Sequence, residues 1–417
     1  MNDVFAQLVG QPEAVATLRA ASRAAAAVLR GEAVGAGAMT HAWLFTGPPG
    51  SGRSVAARAF AAALQCTEVR KGPFLSDSVV EGSPLNDEAG PGCGVCTGCH
   101  TALAGTHPDV RFVVPDGLSI PVAQMRDLVL RSATTPANGR WQVLLIEDAD
   151  RLTEAAGNAL LKAVEEPPDR TIFLLCAPSD HPDDISVTIR SRCRVVPLRQ
   201  PGAEAVSTLL VERDGVDPAT AAWVAAAAQG HVGRARRLAG DREARDRRAA
   251  VLAVPRQLTG VGACFDAAAA LIEAAEAEAA ASVAATDAAE RAALETALGA
   301  GGTGKGSAGA ARGIAGQLKD LEKRQKSRAT RAQRDALDRA LLDLAGFYRD
   351  VLNARWGGAV APVHADTAPL AEAAAQRWTA ESTLRRLEAV LTCRTAIDAN
   401  VKPRIAVEAM MLELWQG

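Results

Sequence analysis

Short apolar runs alternate with stretches of helical periodicity through the first half of the chain. Residues 42–46, 110–114, 141–146 and 171–176 have the length and composition of buried strands, and 194–198 adds a fifth. Between them, 54–65, 122–132 and 153–165 read as helices, the last stopped by Pro167-Pro168. Apolar strands alternating with helices predict a parallel sheet covered on both faces. After about residue 199 the strand pattern disappears. Residues 201–238 read as a small group of helices broken by Gly215, Pro218 and Gly230, and long alanine-rich helices follow from about 241. Two stretches interrupt the periodicity. Residues 67–92, rich in Gly, Pro, Ser, Asp and Glu, read as an irregular excursion, and 299–313, GAGGTGKGSAGAARG, as a low-complexity flexible segment.

Composition narrows the classes. A chain of 417 residues, at ~150 per domain, holds roughly two to three domains. With 48% hydrophobic and 23% charged residues it is a globular rather than a disordered sequence. Only seven of the 46 basic residues are lysine, and this Ala/Arg/Gly bias says more about codons than chemistry. The net charge of −2 excludes a uniformly basic nucleic-acid coat protein. One local exception is 312–339, where nine basic and four acidic side chains lie on an expected helix, read as a solvated face with DNA contact as the alternative. No apolar run approaches the ~18 residues of a membrane span, and the start, MNDVFAQLVGQPEAV, lacks a basic-then-apolar signal pattern. A cytoplasmic protein is expected.

Three motifs carry candidate chemistry. Gly47-Pro48-Pro49-Gly50-Ser51-Gly52-Arg53-Ser54 follows a strand and opens a helix, the setting of a phosphate-binding loop. Its glycines let backbone N–H groups curl around an anion, and the helix N-terminus adds a favourable dipole. Arg53 stands where lysine is usual, with a wider, planar charge, and Ser54 is a candidate Mg²⁺ ligand. A second Gly-x4-Gly-Lys match at 299–305 lacks the following Ser/Thr and a preceding strand, and is rejected. Glu147 and Asp148 end a buried strand, where metal and nucleotide bind in parallel sheets. The alternative is that these charged residues merely end a strand. Finally, Cys93-x2-Cys96-x2-Cys99 with Cys66 upstream offers four thiolates for a closed, structural Zn²⁺ tetrahedron. His100 is an awkward substitute ligand beside Cys99, and Cys176, Cys264 and Cys393 read as small core residues.

In this order, these pieces resemble the AAA+ subunits of the bacterial DNA polymerase III clamp loader. The resemblance is most specific over GRWQVLLIEDADRLTEAAGNALLKAVEEPP (139–168) and VTIRSRC (187–193), and includes Val9-Gly10-Gln11, the loop at 47–54 and the four cysteines. It covers roughly the first 240 residues. It implies an α/β AAA+ P-loop NTPase core with a parallel sheet over 1–198, carrying a zinc module at 66–99. An all-α lid over 199–243 and an all-α collar domain over 244–417 would follow.

Within that family, four departures from the ATP-hydrolysing tau/gamma motor favour the delta-prime kind of subunit. They are Arg53 for lysine, Glu147-Asp148 in exchanged order, Ala177-Pro178 in place of a polar sensor, and Gly233 in place of a sensing arginine, with Arg234 next to it. Ser191-Arg192-Cys193 is intact, and the resemblance implies that Arg192 acts as an arginine finger on a neighbour's ATP. The implied role is a stator with little ATPase or polymerase activity of its own. The implied cofactor is structural Zn²⁺, with ATP/Mg²⁺ at the loop left open by Arg53. The implied partners are delta and tau/gamma subunits, the sliding clamp and primed DNA, within the nucleoid-associated replisome and away from membranes. The alternatives are a tau/gamma-type motor or other AAA+ DNA-remodelling ATPase, and a zinc-dependent DNA-binding scaffold.

Overall fold

The structure is a computed structural model that describes residues 3–35, 37–67, 91–138, 140–297, 307–358 and 360–417, with side chains of the last long helix from 316 onward. Most of the excursion at 67–92 and the rejected motif at 299–305 therefore lie outside the described residues. The chain forms two compact units. The first comprises 1–115, 119–215 and 230–233; the second comprises 116–118, 216–229 and 234–417.

In the first unit, helix α1 (Pro12–Leu29) precedes strand β1 (Ala42–Thr46), and α2 (Arg53–Leu64) follows the glycine-rich loop. Helix α3 (Thr97–Ala104) carries two of the clustered cysteines at its start, counting its N-cap. Then come β2 (Val110–Val113), α4 (Val122–Ser132), β3 (Gln142–Ile146), α5 (Glu154–Glu165), β4 (Thr171–Ala177), α6 (Val187–Arg190), β5 (Arg194–Pro197) and α7 (Ala203–Asp214). The five strands form one parallel sheet in the order β2-β3-β4-β1-β5, in which Leu44 stands beside Leu175 and Leu145 beside Leu174. The α/β core with a parallel sheet expected from the sequence is what the chain forms.

Strand geometry alternates side chains between faces, so each apolar strand supplies two cores. Trp43, Phe45, Val143 and Leu145 pack with Leu18 of α1 and Phe60 of α2 on one side. Leu44, Leu144, Ile146 and Phe173 pack with Met125 of α4 and Leu160 of α5 on the other. Thr153 caps α5, its hydroxyl accepting from the Ala156 N–H at 3.3 Å, so the helix begins one residue later than its apolar pattern suggests. The sequence pattern did not announce α1, which opens with a proline and is built mostly from alanine.

The second unit is helical. It contains α8 (Pro218–Ala227), α9 (Val232–Gly240, entering the unit at Arg234), α10 (Arg242–Gln257), α11 (Val261–Ala297), α12 (Ser307–Trp356), α13 (Ala368–Arg377), α14 (Ala380–Asp398) and α15 (Pro403–Gln416). Residues 307–313, expected to be flexible, are the first two turns of α12. Their alanines favour helix, and propagation from an existing helix outweighs the cost of the two glycines, Gly309 and Gly313. No described helix is long and apolar enough to cross a membrane.

A buried polar cluster joins α10 and α12 to the loop before α13. His364 is fully enclosed: Arg248 Nη2 lies 2.8 Å from its Nδ1, and its Nε2 lies 3.0 Å from the Asp343 carbonyl. The guanidinium can only donate, so the ring is neutral with its proton on Nε2. Gly346 makes room for it, since a Cβ there would stand 2.7 Å from Nε2. Asp366 accepts two bonds from Arg248, at 2.6 and 3.0 Å. Burial, reinforced by the Arg248 charge, pushes the His364 pKa from 6.5 down to about 4.

That depression has a pH consequence. The unfolded chain takes up a proton near pH 6.5 while the folded chain does not until about pH 4, so stability is lost as pH falls through this window. Denaturant titrations should show a loss of about 2 kcal/mol between pH 7 and pH 5 from this group. His364→Gln should be less stable at pH 7 yet show a flatter pH dependence.

Candidate phosphate loop and cysteine metal site

The loop from Gly47 to Ser54 leaves the C-terminal end of β1 and delivers the chain into α2. Gly47 is indispensable by contact: a Cβ there would lie 2.3 Å from the Leu198 carbonyl oxygen and 2.6 Å from Ser51 Oγ. Gly50 and Gly52 hold left-handed backbone at φ +88° and +91°. A Cβ on Gly50 would stand 2.8 Å from His231, so the loop packs directly on that residue. The N–H groups of Gly50, Gly52, Arg53 and Ser54 donate to no backbone carbonyl outside the helix ladder, leaving them for an anion. Arg53 Nη1 and Ser51 Oγ are buried without a hydrogen-bond partner. An orphaned buried guanidinium donor at the head of a helix fits a phosphate group. Pro48 and Pro49 contribute no donor.

Glu147 and Asp148 emerge from β3 beside this loop. Glu147 is already engaged: Arg58 of α2 reaches its Oε1 through Nε at 3.0 Å and Nη2 at 2.8 Å. The Arg58 guanidinium also lies 4.4 Å from the centre of the Phe112 ring. Asp148 adopts left-handed backbone, φ 52°, and begins the short 3-10 turn Ala149–Arg151. Asp150, two residues on, is largely buried, and burial together with the Asp148 charge raises its carboxyl pKa. Cys176 at the end of β4 is fully buried in the sheet, and its thiol is pushed upward chiefly by burial. The Pro178 carbonyl that follows accepts the Gly47 N–H at 3.1 Å, so this strand end braces the loop.

The four cysteines come together. The Sγ atoms of Cys66, Cys93, Cys96 and Cys99 all lie within 4.8 Å of one another, with Cys66 and Cys96 3.9 Å apart. A ZnS₄ tetrahedron has edges of about 3.8 Å, so the donor set fits a structural zinc ion. Backbone N–H groups of Cys96 and Cys99 point at Cys93 Sγ and Cys96 Sγ, at 3.3 and 3.4 Å, stabilising thiolate charge. A hydrogen bond from Cys99 chiefly draws the Cys66 thiol down to about 4, while Cys99 itself is raised. Gly98 lets α3 approach α2, because a Cβ would fall 2.1 Å from the Gln65 carbonyl oxygen. His100 is exposed and outside the cluster.

Arg192 lies just beyond α6, more than a third exposed. It pairs with Glu165 of α5 at 2.7 Å and donates to the Thr188 carbonyl at 2.9 Å. Arg234 is directed elsewhere, forming an ion pair with Asp343 of α12. Sequence reasoning missed Arg58, Glu165 and His231. Arg58 alone had a signal, being a second arginine on the helix that opens from the loop.

Residues 23–202 match the family model described as DNA polymerase III, delta subunit. The chain is 32% identical to the Bacillus subtilis DNA polymerase III subunit delta-prime over 176 residues, 42% of this chain and 47% of that protein. It is also 32% identical to the Mycobacterium tuberculosis DNA polymerase III subunit gamma/tau over 216 residues, 51% of this chain and 32% of that protein. The chain thus spans between a third and a half of these curated relatives. Among solved structures, a DNA polymerase III gamma subunit-related protein from Thermotoga maritima superposes over 90% of this chain and 94% of its own. The TM-score is 0.36 at 14% identity, too loose to carry an argument. The similarity to DNA polymerase III subunits is thus seen over residues 23–202, within the first unit.

Proposed function

We propose that this chain serves as a delta-prime-type stator of a clamp loader, with delta and tau/gamma subunits as its partners and the sliding clamp and primed DNA as the assembly's substrates. The observation that carries the reading is the Arg58–Glu147 pair. Hydrolysis in a phosphate-loop site needs a carboxylate at the end of this strand free to hold Mg²⁺ or orient water. Here that carboxylate is neutralised by an arginine of the same unit, 16% exposed and held by two donors. The fully buried Cys176 and the following Ala177-Pro178 offer no hydroxyl or amide to a γ-phosphate. Arg53, with a buried unpartnered Nη1, supports retention of nucleotide without turnover. When bound, ATP would supply a polyanion that orders the loop, with Gly50, Gly52, Arg53 and Ser54 supplying donors.

Arg192 is the candidate trans-acting group. Its pair with Glu165 is solvent-exposed, so releasing it costs at most about 1 kcal/mol, and the guanidinium is free to swing to a neighbour's phosphate. Zinc at the four cysteines would tie α3 and its loop onto the end of α2, a structural role with no open coordination position.

The purified chain with saturating ATP and Mg²⁺ should show no turnover above background. DNA-stimulated hydrolysis abolished by Arg53→Ala would instead identify a motor. In the reconstituted complex, Arg192→Ala should lower ATP turnover at the adjacent site by about 10³-fold. Unchanged partner ATPase would favour a scaffold without a trans finger. Metal analysis of freshly purified, reduced protein should return about one zinc per chain, lost in Cys96→Ser together with a lowered melting temperature. Metal-free protein with unaltered stability would remove the zinc site.

A further inference from the structure

One buried side chain at the glycine-rich loop comes from outside it. Gln11 precedes α1 as its N-cap, a position that favours Ser, Thr, Asp or Asn, and its amide caps nothing in that helix. The side chain turns instead into the first unit, where Gln11 is only 5% exposed. Its Nε2 donates to the Arg199 carbonyl and, at 3.4 Å, to the Ser51 carbonyl. Its Oε1 accepts the Arg199 N–H at 3.1 Å. Both ends of one amide are used, on partners 40 and 188 positions away.

The bond to Ser51 governs more than a carbonyl. Ser51 is flanked by Gly50 and Gly52, both in left-handed backbone at φ +88° and +91°. With no Cβ on either side, little steric resistance opposes rotation of the Ser51–Gly52 peptide. That peptide is trans, so its C=O and N–H point in opposite directions. Drawing the carbonyl to Gln11 turns the Gly52 N–H away from Gln11. The Ser51 N–H is already held by the Pro48 carbonyl at 3.0 Å, so the next free donor along the loop is that of Gly52. The N–H groups of Arg53 and Ser54, in the first turn of α2, follow it.

Arg199 fixes the other end of the bridge. It follows Leu198, whose N–H donates to the Thr46 carbonyl at 2.7 Å and whose own carbonyl oxygen would lie 2.3 Å from a Cβ on Gly47. The anchor for Gln11 is therefore backbone packed on the start of the loop.

We propose that Gln11 is a positioning residue of the phosphate loop, its amide fixing the Ser51–Gly52 peptide in the orientation that presents the Gly52 N–H to a bound phosphate. The role rests on the reading of 47–54 as a nucleotide-binding loop. Gln11 acts through the peptide and needs no contact with the nucleotide.

The test measures binding of ATP with Mg²⁺ to the full chain, together with residue-resolved amide exchange. Gln11→Leu keeps most of the bulk and removes both donor and acceptor. It should weaken ATP binding about tenfold or more, the worth of one hydrogen bond to a charged group, with circular dichroism confirming the fold. In the parent, saturating ATP should slow exchange at Gly52, Arg53 and Ser54. In the variant, saturating ATP should still protect Arg53 and Ser54 but leave Gly52 exchanging freely, a change that loss of packing alone would not confine to one amide. Gln11→Glu is the second variant. It has nearly the same shape and still accepts the Arg199 N–H, but an ionised carboxylate cannot donate to Ser51, so Gly52 should again lose its protection. ATP protection of Gly52 at the parent level in either folded variant would overturn the role of Gln11. So would ATP affinity within about twofold of the parent in both variants. Absence of saturable ATP binding by the parent would instead overturn the loop reading, and this role with it.

Discussion

The first unit depends on a sheet buried on both faces. A parallel sheet of this kind leaves its polar groups only at the strand ends, so the loops at the C-terminal edge are where charge can reach solvent. Gly47, Glu147 and Ala177 all stand on that edge, following β1, β3 and ending β4. Helix α2 then extends the constraint in the other direction. It begins at the glycine-rich loop, places Arg58 against Glu147 about one and a half turns later, and ends next to Cys66. One rigid element of 12 residues therefore couples the glycine-rich loop, the neutralised carboxylate and the cysteine cluster. A displacement of α2 would disturb all three.

The arginine bias acquires meaning once the side chains are in place. As composition it reflects codons. In the structure the arginines are used where lysine would fit poorly. Arg58 reaches one carboxylate through two donors while stacking over Phe112. Arg248 bridges His364, Asp366 and Asp343 from a nearly fully buried position. Arg328 of α12 is shared by Asp287, Glu290 and Asp116. These networks rely on the planar fork and weak hydration of guanidinium, which tolerates burial better than a compact ammonium. They also explain the local surplus at 312–339, where Arg328, Arg334 and Arg339 serve contacts within the unit.

Elements whose signal is local were legible in the sequence. The strands appear as short apolar runs because both faces of each are buried, and the helices between them keep their apolar stripes. The cysteine site was legible because CxxC spacing brings two sulfurs onto one centre by itself. Helix α1 was not, since alanine is as compatible with a loop-flanking stretch as with a buried helix. The start of α12 was misread because glycine and alanine in 299–313 look alike in composition, whereas helix propagation depends on the residues downstream of them.

The sequence alone determined the apolar alternation, the glycine positions and the identity of the thiols, because each is a property of residues close together along the chain. Only the tertiary structure decided that Glu147 is neutralised, that Arg192 rests on Glu165, that Arg234 faces Asp343, and that Arg237, Arg247 and Arg339 converge on Glu278. Arg58 and Glu147 are separated by 89 positions, and Arg237 and Arg339 by about a hundred. Pairing at that distance carries no periodicity. It arises when helices pack and burial forces each charge to find a partner within a few ångströms.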